Sequence, residues 1–295
     1  MKNIQKKLTG TGVALVTPFR NDDSIDFKAL KKLVEHVIQG GVDYLVVMGT
    51  TGENPVLSEQ EQKAVLNYVV DVSEKKVPIV FGIGGNNTQD VVTRIKNTDF
   101  EHIDAILSAT PYYNKPTQKG LYIHYKTLAS ASPVPMILYN VPGRTSVNLS
   151  AETTLNLAAD FENIIAIKEA SGNLNQIMQI LKNKSADFSV ISGDDNFTLP
   201  YIALGMQGVI SVTANAYPQE MSDMVRAALK NDFKTARQIH YKLLDFTDSL
   251  FLEGNPAGVK AALEVMGITS KYVRLPLSSV SRSTYNLIGD LMKKI

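Results

Sequence analysis

The chain contains no cysteine, which excludes disulfides, a cysteine nucleophile, iron–sulfur clusters and Cys-ligated zinc in one step. Net charge is nearly absent: 30 basic and 29 acidic residues leave +1. A balance this even gives no long-range field to steer the protein onto nucleic acid or an anionic membrane. No apolar run approaches the roughly 20 residues needed to cross a bilayer. The start carries Lys2, Lys6 and Lys7, but the apolar stretch behind them is short and broken by Thr17 and Pro18, unlike a signal peptide. Histidine is scarce. His36, His102, His124 and His240 fall in helical patterns or at a strand's entry, so none reads as a metal ligand or catalytic base. What remains is globular composition, with 44% hydrophobic and 20% charged residues, on a chain long enough to bury roughly three quarters of its unfolded surface. A soluble cytoplasmic protein is expected, with no nucleic-acid or membrane partner.

Against these absences stands a regular beat. Short apolar runs lie at 13–16, 44–47, 79–81, 103–107, 136–139, 164–167, 188–191 and 209–212. They mostly lack polar alternation, as strands buried on both faces should. Their spacing leaves room each time for one helix and two loops, the repeat of a βα unit. Phe27, Leu30, Leu33, Val34, Val37 and Ile38 fall on one helical face, and Ser58 with Glu61 forms a capping box. Eight such units in about 200 residues favour an α/β fold closed as a (β/α)8 TIM barrel, with an open doubly wound sheet as the alternative. From about Ala214 only helical patterns follow, at 220–229, 233–252, 256–266 and 285–293, with Asn255 at a capping position before Pro256. The expected organisation is a catalytic barrel domain over 1–231 and a C-terminal helical domain over 232–295.

In a barrel, chemistry belongs at the C-terminal strand ends. Lys168 follows the run 164–167 directly. An ammonium pointed into an apolar mouth loses hydration and its pKa falls. Bringing it from about 10.4 to about 7.5 costs about 4 kcal/mol and makes the free amine available as a Schiff-base nucleophile. The plainer alternative is a strand-end lysine paired with Glu169 or turned to solvent. Tyr139 ends the preceding strand, and its phenol can both donate and accept a proton beside such an amine, or simply pack and cap. Thr50 and Thr51 offer hydroxyl and backbone N–H groups to a carboxylate, or form a capped turn. Arg144 offers a planar fork for a carboxylate, or lies on the surface. Gly82, Gly84 and Gly85 follow a strand, but Asn87 stands where a dinucleotide fingerprint needs its third glycine, so a tight turn is the better reading. Asp194 and Asp195 would repel a phosphate and read as capping residues rather than metal ligands. No metal site is expected. Tyr112 and Tyr113 look like a packing pair.

The combination is more specific than its parts. Gly49-Thr50-Thr51-Gly52-Glu53, Tyr112-Tyr113-Asn114-Lys115-Pro116, Tyr139-Asn140-Val141-Pro142-Gly143-Arg144-Thr145, Ile167-Lys168-Glu169 and Ser192-Gly193-Asp194-Asp195 resemble the dihydrodipicolinate synthase family in order and spacing. The likeness extends to Gly208-Val209-Ile210-Ser211, Asn255-Pro256 and Arg274-Leu275-Pro276. It implies a (β/α)8 barrel with a helical C-terminal part, usually a homotetramer. The implied reaction condenses pyruvate with L-aspartate 4-semialdehyde in lysine and diaminopimelate biosynthesis, with no metal or organic cofactor. Carried over, the resemblance gives Lys168 as the amine that forms an imine with pyruvate. Tyr139 and Thr50 join a proton relay that Tyr113 completes from a neighbouring subunit. Thr51 holds the pyruvate carboxylate, Arg144 the carboxylate of the semialdehyde, and Gly193 and Ile210 line the site through backbone groups. A lysine effector site at a subunit interface is implied at Asn54, Pro55, Glu59, Gln62, Asn86, Asp90 and Tyr112. Glu59 and Gln62 stand where some inhibited relatives have histidine, and Asp90 is one carbon shorter than the common glutamate. Sialic acid and oxoacid aldolases share the lysine and tyrosine and are the alternative substrate class; the paired threonines and Arg144 favour the synthase. A non-catalytic binding protein on the same barrel is the remaining alternative.

Overall fold

The computed structural model describes residue 4 and residues 7–295. Eight parallel strands close on themselves in sequence order: β1 Gly10–Ala14, β2 Tyr44–Val47, β3 Ile79–Gly82, β4 Ala105–Ala109, β5 Met136–Asn140, β6 Ile164–Glu169, β7 Ser189–Ser192 and β8 Gly208–Ser211. Around them run α1 Phe27–Gln39, α2 Glu59–Ser73, α3 Thr88–Lys96, α4 Gln118–Ala131, α5 Ala151–Asp160, α6 Leu174–Asn183, α7 Thr198–Ala203 and α8 Pro218–Leu229. The closed barrel therefore replaces the open sheet. On α1 the predicted face is the buried one: Leu30, Leu33, Val34 and Val37 are fully covered. The Ser58–Glu61 capping box is present in both directions at the start of α2.

Strand ends drift by one to three residues from the apolar runs, for physical reasons. β1 begins at Gly10, not at Val13, because Gly10 and Gly12 are strand residues of a special kind. A methyl on Gly12 would meet the Tyr44 ring at 2.2 Å, so the glycine is what lets that ring lie inside the barrel. β4 begins at Ala105, since Asp104 before it uses its carboxylate to accept from the Ile79 amide at 2.9 Å.

Along each strand, alternate residues split between two layers. Ala14, Tyr44, Val46, Val80, Leu107, Ile137, Tyr139, Ile191 and Ile210 fill the barrel interior. Val13, Leu45, Phe81, Ile106, Leu138, Ile167, Val190 and Val209 face the helices. The chain ends in α9 Phe233–Ser249, α10 Ala257–Val265 and α11 Arg282–Met292. Leu243, Phe246, Val259 and Leu263 belong to the same buried cluster as the barrel's outer layer, so the helical tail shares the barrel's core. None of the described helices is long and apolar enough to cross a membrane.

Candidate active site

Lys168 sits on β6, and a register shift decides which way it points. Met136 pairs with Ile164, but Ile137 pairs with Ala166, leaving Ile165 as an extra residue. An extra residue reverses the in–out parity of everything after it. Ile167 thereby faces the helices beside Leu138, and Lys168 faces inward beside Tyr139. The Lys168 side chain is 6% exposed, and its Nζ lies 4.3 Å from the centre of the Tyr139 ring. A methyl on Gly193 would fall 2.9 Å from Lys168 Cε and 2.7 Å from Ala170 Cβ, so this glycine leaves the corridor in which the lysine lies.

Glu169 does not pair with Lys168. It turns outward, fully buried, and accepts from Asn140 Nδ2 at 3.1 and 3.2 Å, the Ser171 amide at 2.8 Å and Gln176 Nε2 at 3.2 Å. Burial raises its pKa against those hydrogen bonds. Asp195, also buried, accepts from the amides of Val212 and Thr213 at 2.8 and 3.1 Å, capping the turn after β8. Burial raises its pKa too, while its hydrogen bonds and the nearby Lys168 charge pull it down. Asp194 is pushed up to about 6 by burial and by the charges of Asp195 and Asp248. Among the described residues no cluster of His, Asp and Glu is arranged to hold a metal ion.

The threonine pair sits on a short 3-10 turn, Thr50–Gly52, between Met48 and Glu53, both in left-handed backbone conformation (φ 59° and 57°). This kinked loop is fastened from several sides. Thr17 Oγ1 donates to the Gly52 carbonyl at 2.7 Å. Glu53, buried, takes Lys260 Nζ as an ion-pair partner and the Arg274 amide at 3.0 Å. Asn255 Nδ2 donates to Thr51 Oγ1 at 2.9 Å. Asn255 thus does not cap α10, as its place before Pro256 suggests; the residue at that cap is Pro256, with no side-chain bond.

A cavity of about 460 Å³ opens at this end of the barrel. Thr50, Asn54, Pro55, Gln62, Tyr112, Tyr139 and Arg144 all line it, whereas Lys168 is not among its lining residues. Arg144 is exposed on a single helical turn, Pro142–Thr145, whose Thr145 is buried against Thr110 at 3.1 Å. Of the remaining predicted effector residues, Glu59 and Asp90 are exposed, and neither they nor Asn86 line this cavity. Ile210 is buried within β8. Tyr112 and Tyr113 do not form a packing pair: they are 44% and 89% exposed, with Tyr113 in left-handed conformation. Sequence reasoning missed Arg94. On α3, it donates to the Gly84 carbonyl at 3.2 Å and Gln62 Oε1 at 2.9 Å and lines the cavity. Only its basic type near a helix end was visible. A larger cavity, about 620 Å³, lies at the opposite end of the barrel beside Asp43, Pro78 and Asp104, away from Lys168.

The chain matches the model of the Dihydrodipicolinate synthetase family over residues 7–295. It is 52% identical over 288 residues to the 4-hydroxy-tetrahydrodipicolinate synthase of Parabacteroides distasonis, covering 98% of this chain and 97% of that one. The crystal structure of dihydrodipicolinate synthase from Aquifex aeolicus superposes with a TM-score of 0.94 at 42% identity, covering 97% of this chain and 98% of that one. The enzyme from Cyanidioschyzon merolae with lysine bound superposes with a TM-score of 0.94 at 36% identity, covering 98% of each chain.

Proposed function

The chain belongs to the dihydrodipicolinate synthetase family, and from that premise we propose that it condenses pyruvate with L-aspartate 4-semialdehyde through an imine on Lys168. Its activity is that of a 4-hydroxy-tetrahydrodipicolinate synthase, a Schiff-base lyase of the class I aldolase type in lysine and diaminopimelate biosynthesis. The reaction needs no external cofactor, and we place it in the cytoplasm. The observation that carries the assignment to Lys168 is the buried amine over the Tyr139 ring, in the corridor left by Gly193.

The amine attacks the keto carbon of pyruvate, and loss of water gives the imine. The imine acidifies the methyl group, which loses a proton to give an enamine. The enamine carbon attacks the aldehyde carbon of the semialdehyde, whose oxygen takes up a proton. The semialdehyde's amine then adds to the former keto carbon, closing the ring and expelling Lys168. Each transfer needs a group that both donates and accepts, the role of Tyr139, Thr50 and a neighbour's Tyr113. Thr51 holds the pyruvate carboxylate and Arg144 that of the semialdehyde. Gly193 and Ile210 line the site through their backbone. The high exposure of Tyr113 supports a role across a subunit boundary in a homotetramer.

Mixing two inactive variants tests the lysine and the shared tyrosine together. Lys168→Ala removes turnover, and Tyr113→Phe lowers it by about 100-fold or more. Co-assembled in equal amounts, the two recover about a quarter of wild-type turnover, because one site in each hybrid pair receives both intact residues. Full turnover in Lys168→Ala would overturn the imine, and no recovery in the hybrids would place Tyr113 outside the neighbour's site.

L-Lysine, we further propose, binds weakly or moderately at a subunit interface formed by Asn54, Pro55, Glu59, Gln62, Asn86, Asp90 and Tyr112. Asn54, Pro55, Gln62 and Tyr112 line one cavity, which supports the reading. Turnover measured against lysine should fall in the millimolar range; a flat titration rejects the site.

A further inference from the structure

We propose that Asn255, in the segment between α9 and α10, is a positioning residue that fixes the direction of the Thr51 hydroxyl and so sets the affinity for pyruvate. The proposal rests on the reading of Thr51 given above. The two residues are 204 positions apart in sequence, yet their polar atoms meet at 2.9 Å. Thr51 is 3% exposed and Asn255 7%, so water has little access to compete for the bond.

The chemistry of the donor decides the direction. An amide nitrogen carries protons and no lone pair to offer, so Thr51 Oγ1 must be the acceptor. A hydroxyl has one proton, and this bond leaves that proton free to point elsewhere. A ligand carboxylate beside Thr51 then meets a donor. Were the amide reversed, Asn255 Oδ1 would take the hydroxyl proton, and Thr51 would present lone pairs to the carboxylate. The surroundings favour the first arrangement. Asn255 Oδ1 is buried with no partner, and reversal would put the NH2 group in that place. Buried donors without partners are rarer than under-satisfied carbonyl oxygens.

The segments carrying the two residues are tied together nearby. Lys260 on α10, fully buried, pairs with Glu53, two residues beyond Thr51, and donates to the Tyr272 carbonyl at 2.8 Å. The amide is therefore held at a fixed height over the threonine turn.

The test compares pyruvate saturation in wild type, Asn255→Asp, Asn255→Ala, Thr51→Val and the paired variants, read both by steady-state rates and by the yield of borohydride-trapped pyruvate. Asn255→Asp offers only acceptors and reverses the hydroxyl. Its half-saturating pyruvate concentration should rise about tenfold or more, and that of Asn255→Ala by about threefold to fivefold. The KM for the aldehyde substrate and kcat at saturating pyruvate should move less than about twofold, the signature of lost ground-state binding. In the Thr51→Val background, changing Asn255 should add less than about twofold. Equal losses for both substrates, or a full Asn255 effect without the Thr51 hydroxyl, would overturn the proposal. If Asn255→Asp does not fold, the Asn255→Ala and Thr51→Val cycle decides alone. Wild type that traps no pyruvate on Lys168 would remove the reading of Thr51 and this proposal with it. Trapping in wild type with overlapping curves for the variants would remove this proposal only.

Discussion

At Gly193, a single hydrogen in place of a methyl decides whether Lys168 can lie where it does. The added carbon would overlap both Lys168 Cε and Ala170 Cβ, and Lys168 is too buried to swing aside freely. Gly193→Ala is expected to lower kcat by about 10- to 100-fold, since small displacements of a reacting group are that costly, while thermal unfolding shows a folded protein. Wild-type kcat in this variant would mean that the corridor does not constrain the amine. Lys168 and Tyr139 stood out by residue type and position at strand ends. Those alone left a paired or solvent-facing lysine and a packing tyrosine open, and the family resemblance gave them their proposed roles. Gly193 was legible only through the family resemblance, because the sequence does not say which glycine faces which side chain. Asn255 was legible only as a cap and as part of the resemblance, not as a partner of Thr51, and Arg94 was not legible at all. Each owes its place to contacts with segments far away along the chain.

Among the elements, strand β6 shows how little of a site depends on the residues that do the chemistry. Its extra residue, Ile165, reverses parity and turns Lys168 inward; apolar runs reveal that a strand exists but not that it carries a bulge. The eight-unit beat was readable for the same reason that its ends were not: buried parallel strands are uniformly apolar, whereas Gly10 and Gly12 of β1 are chosen for close approach. The loop after β2 is held from outside by a fork. Arg274 Nη1 donates to Glu61 Oε2 at 2.9 Å and Nη2 to Glu61 Oε1 at 2.5 Å, and its ring-stacked guanidinium lies 4.5 Å from the Phe19 ring centre. The guanidinium holds Glu61 down at about 2, against an ordinary 4.5. A carboxylate depressed in the folded state contributes stability above pH 4.5 and loses it as pH falls toward 2. His124, pushed down to about 4 by burial, acts earlier. Below pH 6.5 the unfolded chain takes up its proton and the folded one does not, so stability declines between about 6.5 and 4. Glu61→Gln keeps a side chain able to close the capping box but removes the charge. It should cost about 1 kcal/mol at pH 7, a modest figure because Glu61 is 31% exposed, and should flatten the decline below pH 4.5. Unfolding curves measured from pH 7 to pH 2.5 check both; an unchanged acid slope in the variant would contradict the fork's role.

Over the whole molecule, function is divided between parts that the sequence presents as separate. The barrel supplies the amine and the tyrosine above it, while the helical tail reaches back with Asn255, Lys260 and Arg274 to fasten the threonine loop. One chain leaves Tyr113 in solvent, and the proposed neighbour gives it a purpose. The proposed function turns on one bond, the proposed imine between Lys168 and pyruvate. The direct test is to incubate the protein with pyruvate, reduce with borohydride and map the modified peptide by mass spectrometry. The account predicts a single pyruvyl adduct on Lys168, absent in Lys168→Ala. Folded wild-type protein that carries no adduct, or an adduct on another lysine, would contradict it.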